Sequence, residues 1–274
     1  MAVLEGTFYS SVLAQTVPFI AILPSMSGYE ALKLEDRTRF DRTRRFPCLT
    51  LLHGYSGNER TWLYSSRISD YAQRCGLAVI CPDGNNGHYT DWECGPLNFT
   101  YLDQEFLPAM RAMFPLSDRR EDNYIGGLSM GGYGAMKWAF TRPETFSYAL
   151  NFAGGVDIEP RLAYYRSRPE TKKSIENVFG DLDRVVGGHN DVFALIRKAS
   201  AEGRELPKVF TCAGTEDIPG TQGHLKLIQV CREAGVDVTA KETPGEHDFY
   251  CWDPLLKWAI EEWLPLKGYQ DAAE

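Results

Sequence analysis

Residues 123–140 read NYIGGLSMGGYGAMKWAF, and this stretch predicts the architecture of the chain. A short apolar segment leads into Ser129, which has a glycine two residues away on each side, and a helix-like pattern follows. The pentapeptide 127–131 fits Gly-x-Ser-x-Gly, in which a nucleophilic serine occupies a sharp turn between a strand and a helix. Such a turn crowds the backbone and often needs positive φ, which favours glycine neighbours. A helix starting at Ser129 would also direct N–H groups toward an anion formed there. The alternative is a glycine-rich connection without chemistry.

The composition is that of a globular protein and excludes several classes of function. The chain has 274 residues, 43% hydrophobic and 24% charged, which fits a single domain with a large core. Its net charge of −8 argues against a nucleic-acid partner, because phosphate binding needs a basic face. We see no signal peptide, and no apolar stretch long enough to span a membrane.

The seven cysteines are an odd number without paired C-x-x-C spacing, and most of them lie in apolar runs. This pattern predicts buried free thiols in a reducing compartment, and hence a cytoplasmic protein. Cysteine nucleophile chemistry at Cys94 or Cys251 is a minor alternative.

Strand-like and helix-like patterns alternate along the chain, which predicts an α/β protein with a mostly parallel sheet covered on both faces. We interpret residues 1–274 as one domain, with about 154–206 as a small helical insertion over the C-terminal edge of the sheet. The charged stretch 33–46 is interpreted as a solvated loop. Besides the strand and helix of 123–140, we predict strands at 4–9, 15–23, 46–52, 77–81, 146–152, 208–213 and 237–242, and helices at 61–65, 68–76, 98–114, 172–178, 191–201, 222–234 and 252–263.

A serine hydroxyl needs a base, and that base needs an orienting acid. In α/β-hydrolases the order along the chain is serine, acid, histidine, with the histidine after the last strand. Of the five histidines, His247 satisfies this order, since it directly follows the strand at 237–242. We interpret the loop or turn residues His53, His88 and His189 as structural or exposed, and His224 is the remaining competitor.

The acid has three candidates. Asp217 and its neighbour Glu216 follow the strand at 208–213, at the sheet edge where site residues gather. Asp157 follows the strand at 146–152. Spacing cannot separate Asp217 from Glu216, although we prefer Asp217, and a carboxylate in such a turn is often only a helix cap.

The remaining site predictions concern the oxyanion, the substrate and metals. A tetrahedral oxyanion needs two N–H donors, and the amides of Met130 and Tyr55 are the candidates. We expect the substrate to contact aromatic residues on loops of the same edge, although each is equally suited to packing: Trp62, Tyr89, Phe249 and Trp252. His88, Asp91 and Cys94 match no familiar metal spacing, so we expect no metal and no cofactor.

Four motifs together resemble the esterase D family of α/β-hydrolases, which includes S-formylglutathione hydrolases and is most similar here to bacterial tributyrin esterases. The motifs are LLHGYSGNERTW (51–62), GLSMGGYGAMKWAF (127–140), AGTED (213–217) and GEHDFYCWD (245–253). The segments FGDL (179–182) and GGHNDVFALI (187–196) resemble the insertion of tributyrin-type members. One departure is Tyr55, which stands where many relatives carry a smaller or aliphatic residue and which implies a different acyl pocket.

The resemblance implies an α/β-hydrolase fold, a Ser129–Asp217–His247 triad and oxyanion amides at Tyr55 and Met130. It therefore favours Asp217 over Glu216. We expect a serine carboxylesterase for short-chain acyl esters of the tributyrin, acetyl-sugar or feruloyl type. The alternatives are an S-formylglutathione hydrolase-type thioesterase, an acyltransferase with the same triad, and a binding module on a hydrolase scaffold. The resemblance is compatible with a homo-oligomer.

Overall fold

A computed structural model of the chain describes residues 1–25 and 43–266. Most of the charged stretch 33–46, interpreted above as a solvated loop, lies outside the described residues. Within the described ranges, no helix combines the length and apolar character that crossing a bilayer would require.

The described strands form one eight-stranded sheet in the order β1-β2-β4-β3-β5-β6-β7-β8. β1 pairs antiparallel with β2, and β2 pairs antiparallel with β4, whereas the pairs from β4 through β8 are parallel. The α/β class predicted from the sequence is therefore confirmed. The strands are β1 (Ala2–Ser10), β2 (Gln15–Leu23), β3 (Cys48–Leu52), β4 (Ala78–Pro82), β5 (Asn123–Leu128), β6 (Tyr148–Phe152), β7 (Lys208–Gly214) and β8 (Val238–Thr243).

The three central strands β3, β4 and β5 are buried along their whole length. Helices cover both faces of a parallel sheet, so residues on both sides of these strands are buried. The sequences of these strands therefore do not alternate between apolar and polar residues. The strands at the two edges, β1 and β8, are mostly exposed or half-buried. The predicted strand boundaries differ from the observed ones by at most two residues, where the end of an apolar run does not coincide with the last ladder hydrogen bond.

Helices pack on both faces and divide the core into two apolar clusters. One cluster contains Tyr133 and Trp138 from the helix after β5, and the other is built around Trp62 and Trp252. The helices are α1 (Thr61–Ser65), α2 (Ile68–Cys75), α3 (Asn98–Tyr101), α4 (Leu107–Met113), α5 (Met130–Thr141), α6 (Ile158–Arg166), α7 (Pro169–Phe179), α8 (Val192–Ala201), α9 (Ile218–Glu233) and α10 (Phe249–Trp258).

The single helix predicted at 98–114 is interrupted by a π-helical turn, Leu102–Phe106, between α3 and α4. Pro108 follows this turn as the second residue of α4, where its missing N–H is tolerated. A second π-helical turn, Ala259–Trp263, continues α10. α10 itself begins three residues earlier than predicted, because the Asp248 carboxylate caps it by accepting a hydrogen bond from the Tyr250 amide at 3.0 Å.

Helices α6, α7 and α8 lie between β6 and β7, in the segment predicted to be an insertion. The sequence did not indicate α6 as a helix, because only Ile158 and Leu162 mark its buried side. α8 contributes Phe193 and Ile196 to the same apolar cluster as α5. The interpretation of residues 1–274 as one domain with an insertion remains a prediction.

The strand order determines at which edge of the sheet a ligand site is expected. The chain passes from β3 to β4 on one side and then crosses to β5 on the other, so the order reverses between β3 and β5. Ligands of open α/β sheets bind outside the carboxyl ends of the strands at such a reversal. Leu52, the last residue of β3, pairs with Gly127, and Leu128 pairs with Phe152 at the end of β6. The loops after β3, β5 and β6 therefore meet at one edge.

Candidate active site

Ser129 occupies the turn between β5 and α5, one residue before the helix. Its backbone has φ 53° and ψ −118°, a conformation that costs free energy for any residue with a Cβ atom. The Ser129 amide donates a hydrogen bond of 2.9 Å to the Phe152 carbonyl, which ties the turn to β6. The helix was predicted to start at Ser129 itself; it starts at Met130, because the strained serine precedes the first helical residue.

The two glycines of the pentapeptide are required by close backbone approach. A Cβ atom on Gly127 would overlap the Gly131 carbonyl group, and a Cβ atom on Gly131 would overlap the carbonyl groups of Leu52 and His53. Helix α5 can therefore lie directly on the ends of β3 and β5 only because both positions lack a side chain.

His247 and Asp217 form a hydrogen-bonded pair. His247 Nδ1 lies 2.5 Å from Asp217 Oδ2, and the other oxygen of that carboxylate accepts a hydrogen bond of 3.1 Å from the Gly220 amide in α9. The Asp217 side chain is 6% exposed and that of His247 is 42% exposed, so a buried acid supports a base that faces the cavity mouth. The Trp252 ring meets the His247 ring edge-on at 4.9 Å and limits its rotation.

The loops that carry these two residues are joined to each other by backbone hydrogen bonds. The Thr215 amide donates to the Thr243 carbonyl at 2.9 Å, and the Glu216 amide donates to the Gly245 carbonyl at 3.0 Å. The loop after β7 and the loop after β8 therefore continue the pairing of their strands.

The other two acid candidates do not contact His247. The Glu216 side chain is exposed, while Asp157 forms an ion pair of 2.7 Å with Lys226 and caps α6 through the Glu159 amide. The geometry thus separates Asp217 from Glu216, which spacing alone could not do.

Three of the four other histidines do not line the cavity described below. His53 is buried; its Nδ1 lies 2.7 Å from the Gly54 carbonyl and its Nε2 accepts a hydrogen bond of 2.9 Å from the Gly84 amide. His224 is buried against Thr211 at 3.0 Å. Partial burial lowers the pKa of His189 below its usual value. His88 was expected to be structural or exposed, but it lines the cavity described below.

The loop after β3 packs directly on the elbow. A Cβ atom on Gly54 would lie 2.5 Å from Leu128 Cδ1 and 3.4 Å from the Ser129 Cβ atom, so only glycine allows this contact. The next amide along the chain is that of Tyr55. Within the described part of the chain, neither this amide nor that of Met130 donates a hydrogen bond to a backbone or side-chain acceptor. Both are therefore available to a ligand beside Ser129.

The four aromatic residues predicted to contact substrate do not line the cavity that contains Ser129. Trp62 and Tyr89 are at most 1% exposed, and their polar atoms donate to the Leu52 and His53 carbonyls at 3.0 and 2.8 Å. Phe249 packs between the rings of Trp62 and Trp252, and Trp252 is itself buried behind His247. The structure therefore does not place these four rings in the cavity wall: Trp62, Phe249 and Trp252 belong to helices α1 and α10, and their rings pack against one another instead.

A cavity of about 530 Å³ opens at the carboxyl edge of the sheet, and it is lined by all five residues predicted to form the triad and the oxyanion hole. Its wall includes Ser129, Met130, Tyr55, Asp217 and His247. A volume of this size accommodates a small organic ligand. The role of each residue in catalysis remains a prediction.

The insertion supplies one side of the same cavity, through Pro160, Arg161 and Tyr165 of α6. Arg161 Nη2 lies 3.2 Å from His88 Nδ1, and Arg161 Nη1 donates to the Gly155 carbonyl at 3.2 Å. Burial, assisted by the positive charges of Arg161 and Lys137, lowers the pKa of His88 to about 3. His88 is therefore neutral, and its Nδ1 acts as an acceptor. Sequence reasoning missed Arg161, whose position depends on how the insertion folds.

Metal ligands and cysteine thiols were the other candidates for chemistry at this site. Over residues 1–25 and 43–266, no group of three or more His, Cys, Asp or Glu side chains is arranged to hold a metal ion. All seven cysteines are free thiols, and most are buried. Burial raises the pKa of the Cys48 thiol to about 12, and the pKa of Cys251 is also raised, first by burial and then by nearby acids. Raised pKa values disfavour the thiolate that a cysteine nucleophile needs.

Comparison with known proteins identifies the family. Residues 37–261 match the model of the family described as Putative esterase. The chain is 31% identical to an acetyl esterase of Caldicellulosiruptor saccharolyticus over 274 residues, covering 96% of this chain and 98% of that protein.

Two solved structures from Staphylococcus aureus are also similar. One is a substrate-bound fluorophosphonate-binding serine hydrolase F, with a TM-score of 0.82 and 28% identity over 94% of this chain and 96% of that one. The other is an S-formylglutathione hydrolase, with a TM-score of 0.79 and 29% identity over 94% of this chain and 97% of that one. The chain belongs to this esterase family, has the α/β-hydrolase fold and is a carboxylic ester hydrolase, and its predicted esterase D-like relationship is confirmed.

Proposed function

We propose that this member of the esterase family is a serine carboxylesterase that hydrolyses short-chain acyl esters through Ser129, His247 and Asp217. The observation that carries the proposal is the hydrogen bond of 2.5 Å between Asp217 and His247, beside a cavity whose wall also contains Ser129. The acetyl esterase relative supports a short acyl group as the substrate. The cavity of about 530 Å³ is suited to esters of that size.

In the proposed mechanism, Ser129 Oγ attacks the ester carbonyl carbon while His247 accepts its proton. Because Nδ1 of His247 is engaged by Asp217, Nε2 is the nitrogen left to accept this proton. The buried carboxylate of Asp217 then stabilises the imidazolium that forms. His247 returns the proton to the leaving alcohol, which yields an acyl-Ser129 intermediate. A water molecule, deprotonated by His247, then attacks the acyl carbonyl carbon. His247 returns that proton to Ser129 Oγ as the acyl–oxygen bond breaks and the carboxylic acid leaves.

The negative charge of each tetrahedral intermediate is assigned to the amides of Met130 and Tyr55. Met130 is the first residue of α5, so its N–H belongs to the unpaired donors of a helix N-terminus. The contact of Gly54 with the elbow supports a position for the Tyr55 amide beside the same oxygen. A single donor of this kind contributes roughly 10²- to 10³-fold to kcat.

The proposal is tested with Ser129→Ala, p-nitrophenyl acetate and a fluorophosphonate probe. The wild type should hydrolyse the ester and become labelled on Ser129, as the name of the fluorophosphonate-binding neighbour suggests. Ser129→Ala should lose both properties while keeping the wild-type circular dichroism spectrum. Turnover by Ser129→Ala, or a wild type that is not labelled, would overturn the assignment.

A thioesterase acting on S-formylglutathione is a second candidate, favoured by the similarity to an S-formylglutathione hydrolase. Comparison of kcat/KM for p-nitrophenyl acetate, butyrate and octanoate, a feruloyl ester, an acetylated sugar and S-formylglutathione separates the two. A carboxylesterase should prefer one of the oxygen esters, whereas a thioesterase should prefer the thioester by at least tenfold. Adding an alcohol acceptor to the same assays would reveal an acyltransferase by its transfer product.

We also propose a cytoplasmic location, supported by the seven free thiols.

A further inference from the structure

Arg161 is a cation in the wall of the cavity that contains Ser129. It projects from α6 and is partly buried. In the described portion of the chain, its hydrogen-bond partners are the Gly155 carbonyl and His88 Nδ1, and no carboxylate is paired with it. The guanidinium charge is therefore not neutralised by the fold.

The two hydrogen bonds leave most of the guanidinium donors available. An arginine side chain has five N–H donors in a planar fork, and Gly155 and His88 each use one of them. Nε and one hydrogen on each terminal nitrogen remain. These three donors suit the bidentate recognition of a carboxylate.

The same contacts hold the fork in position before a ligand arrives. The Gly155 carbonyl lies in the loop after β6, and His88 is 3% exposed and packs against Phe179. Because the low pKa of His88 keeps its ring neutral, His88 Nδ1 accepts from Arg161 without competing for an anion. Little side-chain entropy then remains to be lost when a ligand binds.

The acidic residues of the cavity have their own partners. Asp157 is paired with Lys226 at 2.7 Å, and Asp217 is hydrogen-bonded to His247 at 2.5 Å. Neither carboxylate is therefore an ion-pair partner of Arg161. A neutral short-chain ester would leave the guanidinium without an anionic partner.

We infer that the preferred substrates are esters that also carry a carboxylate, with that carboxylate bound by Arg161. The inference rests on the proposed function, since the ester must reach Ser129 in the same cavity. The carboxylate belongs either to the acyl group, as in a dicarboxylic acid monoester, or to the alcohol. Both sources present the same chemistry to the guanidinium.

Two substrate pairs, each differing only in charge, separate these sources. The acyl arm compares monoethyl succinate with ethyl succinamate, and the alcohol arm compares 4-acetoxybenzoate with 4-acetoxybenzamide. The wild type should favour the carboxylate in at least one arm, by about tenfold or more in kcat/KM. Arg161→Met should lower kcat/KM for that carboxylate about 10- to 100-fold, the effect of losing a charge-assisted hydrogen bond. The same substitution should change kcat/KM for the matched ester that carries an amide group less than threefold.

Two further variants test whether the preference for the carboxylate depends on the Arg161 guanidinium. Arg161→Lys keeps the charge but loses the planar fork, and it should restore only part of the preference. Arg168→Met removes an exposed arginine that does not line the cavity and should leave both pairs unchanged. Should Arg161→Met fail to fold, inhibition of the wild type by succinate and 4-hydroxybenzoate, compared with their amides, provides the test. At least one acid should then inhibit about tenfold more strongly than its amide.

The results that overturn the inference differ from those that overturn the proposed function. If the wild type shows no preference for either carboxylate, or if Arg161→Met weakens the amide and the carboxylate equally, Arg161 is not the specificity residue. The esterase proposal survives that result as long as Ser129→Ala abolishes hydrolysis of the ester bonds in ethyl succinamate and 4-acetoxybenzamide. If Ser129→Ala still hydrolyses these esters, the proposed function fails first.

Discussion

Asp217 Oδ2 lies 2.5 Å from Nδ1 of His247, and the same carboxylate also caps the first turn of α9 through the Gly220 amide. One side chain thus fixes both the orientation of the imidazole and the start of a helix. The cap uses Oδ1, the carboxylate oxygen that is not hydrogen-bonded to His247. The position of the acid is therefore set by the backbone that follows it as well as by its partner.

Asp217→Asn should lower kcat for p-nitrophenyl acetate about 10⁴-fold, because an amide at this position stabilises the wrong imidazole tautomer. Asp157→Asn, which changes another carboxylate of the same cavity, should lower kcat less than tenfold, because Asp157 is paired with Lys226. Steady-state kinetics of the two variants measures the difference. Equal losses would remove Asp217 from the triad.

Ser129→Gly should be more stable than Ser129→Ala, although neither should be active. The backbone of residue 129 has φ 53°, which glycine adopts at little cost and alanine does not. Relief of this strain is worth about 1–3 kcal/mol, or several degrees in Tm for a chain of this size. Thermal unfolding of the two variants followed by circular dichroism measures it. A Ser129→Ala variant as stable as Ser129→Gly would show that the turn stores no strain.

Gly54→Ala should reduce kcat about 10²- to 10³-fold with a smaller effect on KM. The added methyl group would lie 2.5 Å from Leu128 Cδ1 and 3.4 Å from the Ser129 Cβ atom. Because Leu128 is itself buried in the core, we expect the loop to move and to carry the Tyr55 amide away from the oxyanion. Gly223→Ala is a useful control, because its added methyl group would meet its neighbours at an ordinary 3.4 Å. Wild-type kcat in Gly54→Ala would argue that Tyr55 is not an oxyanion donor.

His88 should make the folded state less stable in acid. Because burial lowers the pKa of His88 to about 3, the unfolded chain binds a proton that the folded chain does not, between about pH 6.5 and pH 3. The free energy of unfolding should therefore fall as the pH falls through this window.

In His88→Gln this contribution should disappear, and the slope of stability against pH should decrease by up to about 1.4 kcal/mol per pH unit. Urea unfolding of both proteins at pH 7, 6, 5 and 4 gives the two slopes. Parallel slopes would show that His88 is protonated equally in both states.

Cys94 should react with a thiol reagent much faster than the other cysteines of the native protein. It is the exposed cysteine, whereas burial raises the pKa of Cys48 to about 12 and raises that of Cys81 further still. Mass spectrometry after brief alkylation identifies the modified site. Cys94→Ser and Cys251→Ser should keep wild-type esterase activity, and a large loss in either would revive the cysteine alternative.

The elbow was predictable because its constraints are local. Ser129, Gly127 and Gly131 are neighbours in sequence, and Gly127 is required by the turn itself, although Gly131 is required by the end of β3. The order of the acid and the base was predictable for a related reason, since each lies in the loop that follows a strand of the sheet. Parallel strands bring their carboxyl ends together wherever they lie in the chain.

The wall of the cavity was not predictable in this way. Arg161 reaches the site through α6, a helix with weak apolar periodicity, and its partner His88 comes from a turn 73 residues earlier. Trp62 and Tyr89 show the opposite error, because neither a short helix nor a turn after a strand reveals whether a ring points outward or into the core. Side-chain direction in a loop depends on tertiary packing, about which one sequence carries little information.

The backbone hydrogen bonds between the loops after β7 and β8 make the acid and the base a single mechanical unit. Asp217 and His247 are attached to this paired segment, whereas Ser129 is attached to β5 and α5. In the proposed mechanism, a displacement between these two segments would change the gap between imidazole and hydroxyl and would leave the imidazole–carboxylate contact intact. An ester that contacts both segments would then have only that one gap to close.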